Sequence, residues 1–258
     1  MQSKHKIIKT ADGFKLDTIV HVPDKCNGKV IVMCHGLTGC KQGIVQTDSH
    51  LCDLATNLCN GGYKVVQFDW RAHGKSSGKD LDLDCNSFFT DLKTIVDVEA
   101  SNLELQLWGW SIGGFAITQY LLKTKLKVNK VVLWSPVLDP TASFLFSPKS
   151  KAFYSSFVEG VKDGSYYKNK YVLWPAKNFK ISKKFVDGLK RFEFLKAIAC
   201  LPKQTKIILG SNDVLVDASY AENYAKEFGF ECCYLQANHA LIEQMPQAIK
   251  LTTNYFFN

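Results

Sequence analysis

The run Leu103-Glu104-Leu105-Gln106-Leu107-Trp108-Gly109-Trp110-Ser111-Ile112-Gly113-Gly114 decides how the chain is read. Residues 103–108 form an apolar run of strand length, and residues 112–123 follow with a helical pattern. Ser111 stands between them with a glycine two residues away on either side. A serine on a sharp strand-to-helix turn has a strained backbone, and its neighbours two residues off come so close that only glycine fits. The turn lifts the hydroxyl clear of the sheet and sets it at a helix N-terminus. By composition alone such a pentapeptide arises in roughly one chain of this size in ten, so the flanking strand and helix carry the reading. Ser111 is the candidate nucleophile.

A serine hydroxyl is a poor nucleophile until a base takes its proton. On a strand–turn–helix nucleophile the partners follow in the order Ser, Asp or Glu, His. Of His5, His21, His35, His50, His73 and His239, only His239 lies after Ser111. It sits just past the apolar run 230–235, where a base at the end of a strand belongs. The acid is expected after the preceding strand, 205–209, which runs into Gly210-Ser211-Asn212-Asp213. Asp213 is the candidate for fixing the imidazole tautomer. Asp217 is the competitor, and it is better placed as the N-cap of the next helix. Acyl transfer also needs donors for an oxyanion: the backbone N–H of Ile112, directly after the serine, and that of Leu37 in Cys34-His35-Gly36-Leu37-Thr38-Gly39. His35, just before the glycine, suits a structural hydrogen-bonding role.

The rest of the sequence sets bounds. Its 258 residues, 46% hydrophobic and 22% charged, suit one soluble globular domain with a small insertion. No stretch reaches the roughly 18 uninterrupted apolar residues of a spanning helix. The basic start Met1-Gln2-Ser3-Lys4-His5-Lys6 has no apolar run behind it, so no secretory signal is read and a cytoplasmic location is expected. Nine cysteines, an odd and scattered set, read as reduced thiols rather than a disulfide framework, and no Cys/His spacing suggests a metal site.

Apolar runs at 6–10, 14–22, 29–34, 63–69, 103–108, 128–134, 205–209 and 230–235 alternate with helical stretches near 47–60, 87–99, 112–123, 217–228 and 242–257. This predicts a mostly parallel, eight-stranded α/β sheet flanked by helices, with an antiparallel hairpin at its start around Ala11-Asp12-Gly13. The rhythm fails over residues 138–200, a length unusual for a structureless loop. The expected organisation is a core of residues 1–137 and 201–258 with an insertion, 138–200, after the sixth strand.

Taken in order, His35-Gly36-Leu37-Thr38-Gly39, Phe68-Asp69-Trp70-Arg71-Ala72-His73-Gly74-Lys75-Ser76, Gly109-Trp110-Ser111-Ile112-Gly113-Gly114, Gly210 with Asp213 and Val216, and His239 resemble the α/β-hydrolase superfamily. Within it the chain is similar to the branch of cinnamoyl (feruloyl) esterases, monoacylglycerol lipases and serine aminopeptidase-like hydrolases. The resemblance implies carboxylic-ester hydrolysis through an acyl-enzyme on Ser111, His239 and Asp213, without cofactor or metal, on a small-molecule ester. It also implies that the insertion caps the nucleophile. Two residues depart from the pattern. Trp110 stands where many relatives carry histidine and Ile112 where many carry glutamine, which makes the floor of the site more apolar.

The insertion contains Phe144, Phe146, Phe153, Tyr154, Phe157, Tyr166, Tyr167, Tyr171 and Trp174. Such rings either form the insertion's own small core or line an apolar acyl pocket, and Trp110 and Trp174 are the candidate substrate contacts. The net charge of +8 is concentrated here: residues 141–195 hold eleven Lys or Arg against four Asp or Glu. Lys149, Lys151, Lys168, Lys170, Lys177, Lys180, Lys183 and Lys184 read as a solvated face, a steering field for an anionic substrate or acyl carrier, or a membrane-surface patch. No nucleic-acid recognition motif accompanies the charge. The same three residues would also serve a thioesterase, an acyltransferase or a peptidase. A binding protein with a silent triad is the non-enzymatic alternative.

Overall fold

Strands rich in Val and Ile with no polar face need cover on both sides, and here they occupy the middle of a sheet. The computed structural model describes residues 1–43, 49–145, 147, 151–174 and 178–258, the side chains of 144 and 151–153 excepted. The chain begins with β1 (Gln2–Lys9), β2 (Lys15–Val22), β3 (Lys29–Cys34), α1 (His50–Asn60), β4 (Lys64–Phe68), α2 (Cys85–Glu99), β5 (Glu104–Trp110), α3 (Ile112–Thr124) and β6 (Val131–Trp134). After the 138–200 segment come β9 (Thr205–Gly210), α8 (Ala218–Phe228), β10 (Glu231–Leu235) and α9 (Met245–Phe257). The segment itself holds a π-helical turn (Pro140–Leu145), α4 (Lys151–Lys162), α5 (Ser165–Asn169), a β7–β8 hairpin (Tyr171–Trp174, Phe179–Ser182), α6 (Lys183–Lys190) and α7 (Phe194–Ile198).

The large sheet has the order β1-β2-β4-β3-β5-β6-β9-β10. β1 and β2 pair antiparallel, as do β2 and β4, and every later pair is parallel. The eight-stranded, mostly parallel α/β architecture is therefore present, with the hairpin at its start. The order reverses around β3, so the loops at the carboxyl ends of β3 and β5 open onto one crevice. Two apolar layers cover the sheet. One side packs Leu51, Leu54, Leu58, Met245 and Phe256 of α1 and α9 against Ile31, Val65 and Trp108. The other packs Phe88, Leu92, Phe115 and Leu121 of α2 and α3 against Val32, Val66 and Leu107.

Element ends differ from the sequence expectation for local reasons. β5 runs on to Trp110, the residue before the serine. β6 starts only at Val131. α2 begins two residues early, because Asp84 caps it: the Asp84 carboxylate accepts the Ser87 N–H at 2.8 Å and Ser87 Oγ accepts the Asp84 N–H at 2.8 Å. The helix read from 242 splits into a 3₁₀ turn at Ile242–Gln244 and α9, which has a proline in its first turn. The expected start of α1 at Thr47 lies outside the described residues.

Among the described residues the 138–200 segment does not build a separate core. Phe157, Tyr166, Val172, Trp174, Phe179, Ile181 and Phe185 belong to the same buried cluster as α2 and α3. Phe185 packs on Phe88, ring centres 5.6 Å apart, and Phe192 stands edge-on to Phe115 at 4.7 Å. Tyr167 is exposed. Phe146 and the side chains of Phe144 and Phe153 lie outside the described residues. Among the described residues no helix is long and apolar enough to cross a membrane. All nine cysteines are free thiols, with Cys34, Cys59 and Cys85 buried.

Replacing Asp84 with alanine removes the α2 cap and is expected to cost about 1 kcal/mol. For a chain of this size that lowers Tm by roughly 2–4 °C, measurable by calorimetry.

Candidate active site

Ser111 has φ 55° and ψ −118°, a left-handed conformation that a non-glycine residue holds only when its surroundings force it. Its N–H donates to the Trp134 carbonyl at 2.9 Å, and its carbonyl accepts the Gly114 and Val137 N–H groups at 3.0 Å each. The turn works only with glycine beside it. A Cβ on Gly109 would lie 2.9 Å from the Gly113 carbonyl carbon, and one on Gly113 would run into the Cys34 carbonyl.

The Ser111 hydroxyl donates to His239 Nε2 at 2.9 Å, and His239 Nδ1 donates to Asp213 Oδ2 at 2.6 Å. An ionised carboxylate can only accept, so Nδ1 carries the proton and Nε2 is free to take one from the serine. Asp213 Oδ1 accepts the Leu215 and Val216 N–H groups at 2.9 Å each, which fixes the carboxylate. Parallel pairing brings these residues together: Gly210 faces Leu235 across β9 and β10, so the loops bearing Asp213 and His239 leave the sheet side by side. The side chains of Asp213 and His239 are 1% and 8% exposed, which strengthens their hydrogen bond. Asp217 is elsewhere, capping α8 through Ser219, so the two competing carboxylates belong to different hydrogen-bond networks.

The same logic aligns the backbone donors. Cys34 faces Gly109 across β3 and β5, and three residues beyond each lie Leu37 and Ile112. Among the described residues neither of their N–H groups meets an acceptor within the chain. Both residues line a cavity of about 310 Å³ with Trp110, Ser111, Val137, Trp174, Val214 and His239. Trp110 also donates its indole N–H to the His239 carbonyl at 3.1 Å, so it anchors the backbone that carries the imidazole. Leu37, Trp110, Ser111, Ile112, Trp174 and His239 thus reach one cavity, with Asp213 hydrogen-bonded to His239 behind it. Among the insertion aromatics named above, Trp174 lines the cavity and Phe157 and Tyr166 pack in the core.

His35 and His73 are excluded as bases by their bonding. His35 Nδ1 donates to the Gly36 carbonyl at 2.8 Å, and its Nε2 accepts the Trp70 N–H at 3.2 Å. Burial, with neighbouring His73 next, pushes its pKa down to about 3. Burial lowers that of His73 too; its Nδ1 donates to the Arg71 carbonyl and its Nε2 accepts the Thr38 N–H at 3.0 Å. Of the insertion lysines, Lys168, Lys170 and Lys180 are exposed, Lys183 pairs with Asp187 and Lys184 with Asp84. None of these five lines the cavity. Lys149, Lys177 and the side chain of Lys151 lie outside the described residues.

Sequence reasoning missed Val137 and Val214–Val216 as cavity walls, because apolar loop residues carry no local signal. It also missed what the 68–76 motif does: Asp69 and His73 hold the loop that carries Leu37.

A serine on a strand-to-helix turn, bonded to a histidine and an aspartate at the carboxyl edge of this sheet, defines the α/β-hydrolase class. A family profile described as serine aminopeptidase, S33, matches residues 27–178. That is more than half of the chain, and the chain belongs to this family of hydrolases. Est1E from Butyrivibrio proteoclasticus, solved with ferulic acid bound, superposes with a TM-score of 0.75 at 16% identity, over 97% of this chain and 98% of that one. The Pyrococcus furiosus esterase Pf2001 gives 0.67 at 20% identity, over 99% and 91%. At such identities these likenesses bear on the fold alone. A Synechocystis sp. protein described as "Putative non-heme chloroperoxidase" is 33% identical over 122 residues; that stretch is 46% of this chain and spans 40% of the curated relative's length.

If Asp213 orients the imidazole and Asp217 only caps a helix, the two asparagine variants should separate cleanly. Asp213→Asn favours the wrong tautomer and is expected to lower kcat by about 10⁴. Asp217→Asn should leave kcat near the wild-type value. Steady-state kinetics of both variants, on an ester the wild type turns over, make the comparison.

Proposed function

We propose that the protein hydrolyses carboxylic esters of small to medium acyl or aromatic acids, with Ser111 as nucleophile, His239 as general base and Asp213 as its orienting acid. The observation that carries this reading is the continuous Ser111–His239–Asp213 hydrogen-bond relay opening into an apolar cavity. Ser111 Oγ attacks the ester carbonyl carbon while its proton passes to His239 Nε2. The carbonyl oxygen gains the negative charge and accepts from the Leu37 and Ile112 N–H groups. As the tetrahedral intermediate collapses, His239 gives the proton to the leaving alcohol and an acyl-serine remains. Water, deprotonated by His239, then attacks the acyl carbon, and the acid leaves as the serine regains its proton.

Support for an ester over an N-terminal peptide comes from the cavity lining. Among the described residues no Asp or Glu lines it, so a substrate ammonium would be desolvated there without a partner. The volume is at the lower end of the roughly 300–1,000 Å³ of small-molecule sites, which suits a short or single-ring acyl group. We assign residues 138–200 as the cap: Trp174 reaches the cavity from it, and Trp110 lines the cavity from the end of β5.

Ser111→Ala is expected to lower nitrophenyl-ester turnover by several orders of magnitude while leaving the circular dichroism spectrum unchanged. Wild-type protein should be labelled by a fluorophosphonate and should cleave esters in preference to aminoacyl anilides; the reverse preference would replace this reading with peptidase activity. Trp174→Ala should shift the preferred acyl length upward, by roughly 0.8 kcal/mol for each methylene newly buried, in kcat/KM across an acyl series.

A further inference from the structure

The loop carrying Leu37 is tied to the sheet by a buried cluster that the relay does not use. Lys41 is 4% exposed, and its ammonium donates to Asp17 Oδ2 and to Asp69 Oδ2 at 2.7 Å each. Its own N–H donates to Asp69 Oδ1 at 2.6 Å, and its carbonyl accepts from the Gln67 side chain at 2.6 Å. Asp17 and Asp69 lie opposite each other at the end of the β2–β4 ladder, where the Asp69 N–H donates to the Asp17 carbonyl at 2.9 Å. Like charges directly opposite in a ladder repel, and both of these carboxylates are buried. They coexist because the Lys41 ammonium lies between them. Burial lowers the Lys41 pKa, but the hydrogen bonds to Asp17 and Asp69 outweigh it, and the net shift is upward.

The cluster reaches further than one loop. Asp69 Oδ2 also accepts the Lys75 N–H at 3.0 Å, and the loop from 70 to 76 carries His73, whose Nε2 accepts the Thr38 N–H at 3.0 Å. Thr38 has φ 66°, a left-handed conformation costly for a β-branched residue. Leu37 is therefore held from behind by one neutral histidine and, four residues on, by one buried ammonium. With the next N–H engaged by His73, that of Leu37 is left for a ligand.

We propose that Lys41 is a positioning residue for catalysis: by clamping Asp17 to Asp69 it fixes the 36–43 loop so that the Leu37 N–H meets the developing oxyanion. This rests on the esterase reading above. Lys41 does not touch the substrate; its effect passes through the backbone, and it should show in the transition state more than in ground-state binding.

The test uses the full chain and counts competent sites first. End-point titration with a fluorophosphonate gives the number of reactive Ser111 residues, and kcat per titrated site then reports geometry rather than folded fraction. For Lys41→Met we expect kcat per site to fall by about 10²-fold with KM changed less than about threefold. Affinity for a trifluoromethyl ketone, whose carbon takes the Ser111 oxygen and whose oxygen becomes the oxyanion, should fall by a similar factor. Lys41→Met alone leaves two buried carboxylates without the ammonium between them and can unfold the protein. The double variant Lys41→Met with Asp17→Asn keeps the cluster's native net charge and should show the same split. If either folded variant keeps per-site kcat and ketone affinity within about threefold of wild type, the positioning role is overturned. If wild-type protein takes up no fluorophosphonate, it is the esterase reading that fails.

Discussion

A single strained residue organises this structure. Ser111 is held at φ 55° by hydrogen bonds at its N–H and its carbonyl, and by glycines that let β3 and α3 close around it. Holding such a backbone costs on the order of 1–3 kcal/mol, which the neighbouring strands supply through packing. The Trp134 carbonyl that accepts the Ser111 N–H comes from the end of β6, and the Val137 N–H that supports its carbonyl comes from the loop after it. The sheet order, the close approach of α3 to β3 and the opening of the cavity all accommodate that turn. Parallel register then does the rest: adjacent strands end at the same level, so loops of three or four residues from each pair meet without further adjustment.

Much of this could be read from the chain. Short apolar runs with turn signals between them mark strands whatever their tertiary neighbours, so all eight strands of the large sheet were legible, with errors confined to their ends. Asp84 shows why the ends are harder: whether a residue caps a helix depends on a hydrogen bond three residues on, and an apolar count starts the helix only at its first buried turn. The relay residues were legible because each combines a distinctive residue type with a strand end. Val137 and Val214 were not. Their part in the cavity comes from where two loops arrive in space, and nothing in a lone valine records that.

The 138–200 segment shows a different limit. Its aromatics suggested either a separate small core or a pocket lining, two alternatives posed locally. Among the described residues, Phe185 and Phe192 pack onto Phe88 and Phe115 of α2 and α3, and of the described segment aromatics named from the sequence only Trp174 lines the cavity. Sequence pattern shows that a ring will be buried, but not against which partner, because α2 and α3 lie 60 or more residues away in the chain. Among the described lysines, Lys168, Lys170 and Lys180 stayed outside, where water solvates them.

Sharing one core has an evolutionary consequence. A segment with its own apolar interior can be exchanged between relatives as a cassette, because its junctions need match only at the two chain crossings. Here a transplanted segment would arrive without partners for Phe88 and Phe115, and the recipient's helices would be left with bare apolar surface on both sides of the graft. New specificity on this scaffold would therefore be reached more readily by point changes in the wall, at positions such as Trp174 or Val214, than by trading whole segments.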